Sequence, residues 1–359
     1  MQKNDIINLE ITALTSEGSG VGKHDGMAVF VPKTAVGDVI EARIVKVLKS
    51  YAYGKIERVV TPSPDRIEND CPVFGKCGGC VYRHISYAAE LAAKEQQVRD
   101  AFERIGGLSP EFLPIVGSDL TERYRNKLQM PFARTDGGEI VSGFFSERTH
   151  RVVPVEDCKL QPELFSEIVG FVKKKCADLK ISIYNERKHE GVLRHIYLRK
   201  GSKSGEICAV IVARRNVPEF KKIAAELVKK FPGIKGVVLN LNPEKTNVIL
   251  GEREITLCGS ADISDEMCGV RLDISPKSFY QVNTPQAERL YKQAAEFAEP
   301  SGRTLLDLYC GIGSIGLSMA SEAAKIIGAE IVPEAVENAK KNALQSGFEN
   351  AEFICADAG

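Results

Sequence analysis

The sequence predicts a multidomain chain: a small N-terminal β-barrel, a central α+β region and a C-terminal α/β unit with a parallel sheet. Three observations carry this. Residues 1–60 hold short alternating apolar runs at even spacing, the pattern of a small barrel. Residues 61–270 mix hairpin signals with helical periodicity. Residues 271–359 close on strand, glycine turn, helix, strand, helix, strand, the order of a parallel α/β sheet.

In the first segment, Asn8 to Leu14 alternates, Gly18, Gly20 and Gly22 mark a turn, and Met27 to Val31 reads as a strand. Two more strands follow, Val39 to Leu48 and Ala52 to Val60. Arg43, Lys46, Lys49, Lys55 and Arg58 cluster late in the segment with Tyr51 and Tyr53 among them. Bases interleaved with aromatics suit nucleic-acid phosphates and bases; a solvated face is the plainer alternative.

After the linker Thr61-Pro62-Ser63-Pro64 comes C-x5-C-x2-C at Cys71, Cys77 and Cys80, flanked by Gly75, Gly78 and Gly79. Three thiolates this close need a fourth ligand to hold an iron–sulfur cluster or zinc, and Cys158, in a polar loop before a helix start at Pro162, is the candidate. Three near ligands and one remote one suit iron–sulfur better than zinc's two short pairs; free buried thiols are the remaining option. A helix is predicted from Ser86 to Ile105, with Leu91, Val98, Phe102 and Ile105 on one face. Tyr124 to Arg134 and Ile140 to Val155 form a hairpin through Asp136-Gly137-Gly138, with Arg123, Arg125 and Lys127 at its start as phosphate contacts or an exposed strand end. A second hairpin pairs Leu193 to Lys200 with Glu206 to Ala213. Helix Glu219 to Phe231 and strands Gly236 to Asn240, Asn247 to Leu250 and Glu254 to Cys258 complete this region. His84, His189 and His195 show no metal-ligand spacing and read as ordinary polar residues.

Strand Arg271 to Ile274 leads through Pro276-Lys277-Ser278-Phe279-Tyr280-Gln281-Val282-Asn283 into a helix capped by Thr284. An aromatic pair followed by an amide suits a planar ligand; a packed junction is the plainer reading. Next, Leu305 to Tyr309 has the composition of a buried parallel strand and ends in Cys310-Gly311-Ile312-Gly313-Ser314-Ile315-Gly316. Such a turn lets backbone approach a ligand and aims the N–H groups of the helix start at it. Strand Lys325 to Ala329 ends at Glu330, which is placed to accept hydrogen bonds from ribose hydroxyls. This combination predicts a nucleoside-cofactor site for a nicotinamide, a flavin or S-adenosylmethionine. A helix from Pro333 to Gln345 and a strand from Ala351 to Cys355 follow. Doubly wound sheets hold more than three strands, so the C-terminal unit reads as cut off in mid-fold.

Composition bounds the partners. Lys plus Arg and Asp plus Glu both number 48 in 359 residues, so nucleic acid must be attracted by local patches. No stretch of about 18 apolar residues occurs, which excludes a membrane-spanning helix, and the polar start MQKNDIINLE predicts a cytoplasmic protein. Disulfides are therefore not expected among the ten cysteines, and Cys176, Cys208, Cys258 and Cys268 read as small buried apolar residues.

Four features in this order, the small barrel, Cys71-x5-Cys77-x2-Cys80 with Cys158, SPKSFYQVNT and LLDLYCGIGSIGLSMA, resemble the RNA uracil-C5 methyltransferases with a TRAM domain, most closely the bacterial 23S rRNA 5-methyluridine enzymes. The resemblance spans about Asn4 to Gly359. It implies a TRAM (OB-like) barrel over residues 1–60, a central domain with the cluster over 61–270 and a Rossmann-like methyltransferase domain, incomplete, over 271–359. It implies S-adenosyl-L-methionine as cofactor, a [4Fe-4S] cluster on Cys71, Cys77, Cys80 and Cys158, and a cofactor site of Gln281, Tyr309, Gly311, Gly313, Glu330 and Asp357, with Ser314 a weaker match. The partner it implies is RNA, 23S rRNA ahead of tRNA, bound by a monomer.

The chemistry expected is addition of a thiolate to uracil C6, attack of C5 on the sulfonium methyl and removal of the C5 proton by a base. The family's nucleophilic Cys follows an Asp-Pro-Pro-Arg stretch, with a Glu as base further on. Neither context occurs in this chain, so both are expected past Gly359 and the chain is expected to be an inactive fragment. Cys310 and Cys355, each closing a buried strand, are not assigned that role. Two other readings stand beside this one: a non-catalytic RNA-binding iron–sulfur protein, and a nicotinamide oxidoreductase permitted by the glycine turn alone.

Overall fold

Strand β1 (Ile6–Glu10) opens the chain, and a computed structural model describes residues 1–357. With β2 (Ala13–Leu14), β3 (Ser19–His24), β4 (Met27–Pro32), β5 (Val39–Val47) and β6 (Tyr51–Thr61), it forms a six-stranded sheet in the order β1-β5-β6-β4-β3-β2. Alternation along β5 sends Ile40, Ala42 and Ile44 inward against Leu9, Val29 and Val31. Of the glycines expected to mark a turn, Gly18 (φ +73°) closes one, its N–H donating to the Thr15 carbonyl, whereas Gly20 and Gly22 lie in strand β3. Its glycines serve close packing: a Cβ on Gly20 would lie 1.9 Å from Thr34 Oγ1, and one on Gly22 would lie 2.6 Å from Leu9 Cγ.

Below the sheet, Asp38 is fully buried and accepts hydrogen bonds from Ala35 N–H, Ser63 N–H and both guanidinium arms of Arg66. Burial pushes its carboxyl up, but Arg66 and the two N–H groups outweigh burial and hold it below the usual carboxylate range.

Helix α1 (Tyr87–Asp100) starts at Ser86, whose hydroxyl accepts from Ala89 N–H, and runs into a π turn, Ala101–Ile105. Its expected apolar face is not buried: no residue of α1 is, and Val98, Phe102 and Ile105 are exposed. Its surface pairs Glu90–Lys94 and Glu95–Arg99 contribute a few tenths of a kcal/mol each. Met1–Asp119 together with Phe145–His150 forms one compact unit; Leu120–Phe144 with Arg151–Gly359 forms the other.

The second unit is built on a seven-stranded sheet. Its strands are β7 (Lys127–Arg134), β8 (Ile140–Phe145), β9 (Val152–Pro154), β10 (Leu193–Lys200), β11 (Ile207–Ala213), β12 (Ile234–Leu241) and β13 (Arg253–Gly259), ordered β13-β12-β11-β10-β7-β8-β9. Residues 146–151 interrupt the single strand expected from Ile140 to Val155, and residues 247–250 form no strand. Helices α2 (Glu163–Asp178) and α3 (Glu219–Lys230) pack on one face. Helix α3 buries Phe220, Ile223 and Leu227 completely, each contributing about 1.5–3 kcal/mol. That is the anchorage α1 lacks.

On the opposite face lies a hairpin, β14 (Ile263–Met267) with β15 (Val270–Ile274), of which only the second strand was expected. Helix α4 (Thr284–Ala298) follows; its cap is Asn283, whose Oδ1 accepts from Gln286 N–H, and Thr284 is its first residue. A three-stranded parallel sheet closes the described chain. Strands β16 (Thr304–Leu308), β17 (Lys325–Glu330) and β18 (Ala351–Cys355) lie in that order, with α5 (Ser314–Ser318) and α6 (Pro333–Gln345) between them. Strand β16 is half-covered rather than buried: Leu306 is 62% exposed. Among the described residues no helix is long and apolar enough to cross a membrane.

Candidate functional site

The carboxyl ends of β16, β17 and β18 lie side by side, and Tyr309, Glu330 and Asp357 stand at or just beyond them. In an open parallel sheet this rim is where ligands bind. Tyr309 (φ +60°) and Gly311 (φ +55°) both adopt the left-handed region, which turns the chain sharply away from β16. Tyr309 is 69% exposed, and a Cβ on Gly311 would meet nothing within 4 Å. At Gly313 (φ +80°) a Cβ would instead lie 2.9 Å from the Phe353 ring. Gly311 therefore borders open space, while Gly313 and Gly316 serve packing.

The turn's N–H groups are more committed than the sequence suggests. Gly311 N–H donates to Glu330 Oε2 (3.1 Å), Gly313 N–H to the Cys310 carbonyl (2.9 Å) and Gly316 N–H to Asp307 Oδ2 (2.9 Å). Asp307 is a residue that sequence reasoning missed. Burial pushes its carboxyl up, and the Gly316 N–H works against that. Helix α5 is only five residues long, so the expected array of free helix-start donors is not what this turn offers. It offers an acidic rim: Glu330 accepts from Gly311 and from Val332 N–H (2.9 Å) and braces the turn against the end of β17. Ala356 N–H donates to the Glu330 carbonyl, which seats Asp357 beside it. Ser314 shares a hydrogen bond with the Tyr291 hydroxyl of α4 (3.0 Å).

The stretch Pro276–Asn283 separates its aromatics. Phe279 is 72% exposed, whereas Tyr280 is buried and its hydroxyl donates to Asp265 Oδ2 (2.8 Å). Asp265 also accepts from the N–H groups of Ser202, Lys203 and Ser204. Burial and then the Asp265 charge push the Tyr280 phenol far up, so it stays a neutral anchor. The expected aromatic pair is thus one exposed ring and one peg. Asn126 Nδ2 holds the Gln281 carbonyl (2.7 Å) and Thr284 Oγ1 (3.0 Å). Fully buried Asn342 ties the Ile312 carbonyl to Asp273 N–H. Tyr280, Cys310, Ile312 and Leu317 share one core, so both stretches rest on the same foundation. Neither Asn126 nor Asn342 carries a sequence signature.

Cys310 is buried, and burial pushes its thiol up to about 12. Cys355 is exposed, contrary to expectation, and its thiol faces the Ile331 carbonyl. Of the four cysteines read as small buried residues, Cys176 and Cys208 are buried, while Cys258 and Cys268 are only half-buried.

Cys71, Cys77 and Cys80 lie in the first compact unit and Cys158 in the second; all four are half-buried. Gly79 N–H donates to Cys77 Sγ (3.4 Å), and a Cβ on Gly78 would lie a tight 3.1 Å from the backbone of Glu147. The donor type fits a thiolate-held cluster. The geometry does not present a preformed one: among the described residues no three His, Cys, Asp or Glu side chains gather as a metal site. Arg123, considered as a phosphate contact, is occupied by both Asp157 oxygens (2.6 Å each) and by the carbonyls of Cys158 and Gln161.

The barrel's basic cluster is partly neutralised. Arg43 is bidentate to Glu57 and Arg58 to Glu41 across β5 and β6. Phe30, Tyr51 and Tyr53 form a ring cluster with centroids 5.5–5.8 Å apart. His195 lies buried in β10, and burial pushes its imidazole down to about 4.

Comparison with known proteins gives a consistent set of likenesses. Residues 2–56 match the TRAM domain family and residues 299–359 a methyltransferase domain family. An uncharacterised RNA methyltransferase of Halalkalibacterium halodurans is 42% identical, over 100% of this chain and 79% of its own length. Another, of Clostridium acetobutylicum, is 41% identical over 99% of this chain and 78% of its own. The crystal structure of Pyrococcus abyssi tRNA (uracil-54, C5)-methyltransferase in complex with S-adenosyl-L-homocysteine superposes with a TM-score of 0.76. It is 26% identical and covers 97% of this chain and 79% of its own.

Proposed function

The chain belongs to the RNA methyltransferases that carry an N-terminal TRAM domain, and from that premise we propose that it serves transfer of a methyl group from S-adenosyl-L-methionine to C5 of uracil in RNA. The observation that carries the reading is the rim where exposed Tyr309, open Gly311 and the Glu330 carboxylate meet at the ends of the parallel strands. Glu330 retains acceptor capacity for ribose hydroxyls, Tyr309 offers a ring face to the adenine, and Asp357 adds a second acceptor. Gly313 and Ser314 shape the turn. The cofactor supplies an electrophilic methyl when bound. Exposed Phe279 stacks on the unpaired base, and Gln281, two residues on, serves the cofactor site and helps hold that base.

The likeness to the archaeal tRNA enzyme supports uracil C5 as the methylated atom. We keep 23S rRNA ahead of tRNA as the substrate. Within Met1–Gly359 we assign binding and positioning roles only. Cys310, buried and held protonated, takes no part as a nucleophile. We also propose the three-domain division at about residues 60 and 270, with the Phe30, Tyr51 and Tyr53 ring cluster as the barrel's base-stacking surface. We assign Cys71, Cys77, Cys80 and Cys158 to a [4Fe-4S] cluster that orders their loops. Iron and acid-labile sulfide in anaerobically purified protein test that assignment, and zinc alone would overturn it.

The functional reading is tested by nucleoside analysis of fractionated RNA from cells with and without the gene. Loss of 5-methyluridine from large-subunit rRNA supports it. Loss from tRNA shifts the substrate, and loss of an N-methylated base instead contradicts the reaction.

A further inference from the structure

Lys127 of β7 and Arg199 of β10 are direct cross-strand partners, so two cations leave the same face of the sheet side by side. It is the face turned away from α2 and α3. Leu128 and Leu198 point to the helix-backed core, whereas Tyr197 belongs to the core on the other side. Arg199 is 2% exposed; its Nη1 donates to the carbonyls of Ser275 (3.1 Å) and Ser278 (2.7 Å), while its Nε has no partner. On the same strand the buried His195 Nδ1 also lacks a hydrogen-bond partner. Lys127 is half-buried, and the charges it feels are those of Arg199 and Arg125, both positive. The groups felt by Arg199 are Tyr197, Cys208 and Tyr280, none of them a carboxylate.

Like charges set opposite each other on a sheet repel, and a buried cation without a counter-charge is costly. The chain answers four other arginines, Arg43, Arg58, Arg66 and Arg123, with an acid each, while buried Arg194 is held by the carbonyls of Asn242, Glu244 and Thr246. Here it does not, and the loop seated on Arg199 through the Ser278 carbonyl continues directly into exposed Phe279.

We propose that Lys127, backed by Arg199, receives one backbone phosphate of the RNA strand beside the base stacked on Phe279. Lys127 makes the contact, and Arg199 is a positioning residue that fixes the loop and sustains the positive field. The inference deepens the RNA-methylation reading and rests on it. The cofactor's carboxylate is the other candidate anion. The placement favours phosphate, because the Ser278–Phe279 junction, not the glycine turn, sits on the guanidinium.

The test compares Lys127→Gln and Lys127→Arg with the unaltered 359-residue chain. Binding of a uridine-containing single-stranded RNA is followed by fluorescence anisotropy across a salt series, and S-adenosyl-L-homocysteine is titrated in parallel. Lys127→Gln should weaken RNA binding about fivefold at low salt and reduce the slope of log K against log[salt] by about 0.7, the loss of one phosphate contact. Lys127→Arg should restore both. The melting temperature of Lys127→Gln should not fall, since a repelled charge is removed. An unchanged slope overturns the proposal and leaves the methyltransferase reading standing. Weakened cofactor binding with RNA affinity intact gives the anion to the cofactor carboxylate and also overturns it. A wild-type chain that binds S-adenosyl-L-homocysteine but no RNA refutes the RNA reading itself.

Discussion

Gly311 and Gly313 stand two residues apart in one turn, both with positive φ, yet they should fail differently when replaced by alanine. At Gly311 a Cβ meets nothing within 4 Å, so the folding penalty is only that of the left-handed backbone, about 1–2 kcal/mol. At Gly313 the same penalty is joined by a clash with Phe353 Cζ at 2.9 Å and Cε1 at 3.0 Å, and overpacking adds about 1–3 kcal/mol. Gly311→Ala should therefore cost about 1–2 kcal/mol and Gly313→Ala about 2–5 kcal/mol. In a unit of this size that is about 2–4 °C of melting temperature per kcal/mol. Ligand binding should rank the other way. The Gly311 methyl enters the space assigned to the cofactor and should weaken S-adenosyl-L-homocysteine at least about tenfold, whereas Gly313→Ala should bind nearly normally where it is still folded. Thermal denaturation and calorimetric titration of both variants decide the matter. If Gly311→Ala binds as well as wild type, or destabilises as much as Gly313→Ala, the division of roles within the turn is wrong.

Three further outcomes follow from the same geometry. Glu330→Ala removes the acceptor for Gly311 and Val332 N–H and for the ribose, and should lower cofactor affinity about 10–100-fold, as calorimetry would read. Asp38→Asn should destabilise the first unit by about 2–5 kcal/mol in urea titration, because it leaves Arg66 facing a neutral amide. Asp38 is held below the ordinary value of 3.8, so its stabilisation is present above that pH and lost as pH falls through the lowered folded value; the variant should lose that acid dependence. His195 is depressed from 6.5 to about 4, so the unfolded chain binds a proton first, and stability should fall by about 1.4 kcal/mol per pH unit between those values. A His195→Gln variant with a flat profile there confirms the assignment, and an unchanged slope removes it.

Strands and helices were legible wherever apolar periodicity matched a buried face, as in the hairpin of β10 and β11 or the four buried positions of α3. Periodicity says that a face is apolar and not what covers it, which is why the stripe on α1 misled. Gly20 and Gly22 misled differently: the residue type that marks turns also marks the closest backbone approaches inside a barrel. At the candidate site, Tyr309, Gly311 and Glu330 could be picked out because a strand–turn–helix–strand order fixes where they must fall. The residues that brace them could not. Asp307 reaches Gly316 nine residues on, Asn342 reaches Ile312 thirty residues back, and Tyr280 finds Asp265 across a hairpin. Such contacts depend on the direction in which a side chain leaves its element in the folded chain, and sequence spacing does not carry that.

The account stands or falls on what occupies the rim of β16, β17 and β18. The direct measurement is a calorimetric titration of the 359-residue chain with S-adenosyl-L-homocysteine and, separately, with reduced nicotinamide dinucleotide. One saturable site for the first ligand, weakened by Gly311→Ala and Glu330→Ala, and no heat with the second is the predicted result. Binding of the nicotinamide nucleotide at that site, or homocysteine-nucleoside binding that neither substitution changes, would contradict it.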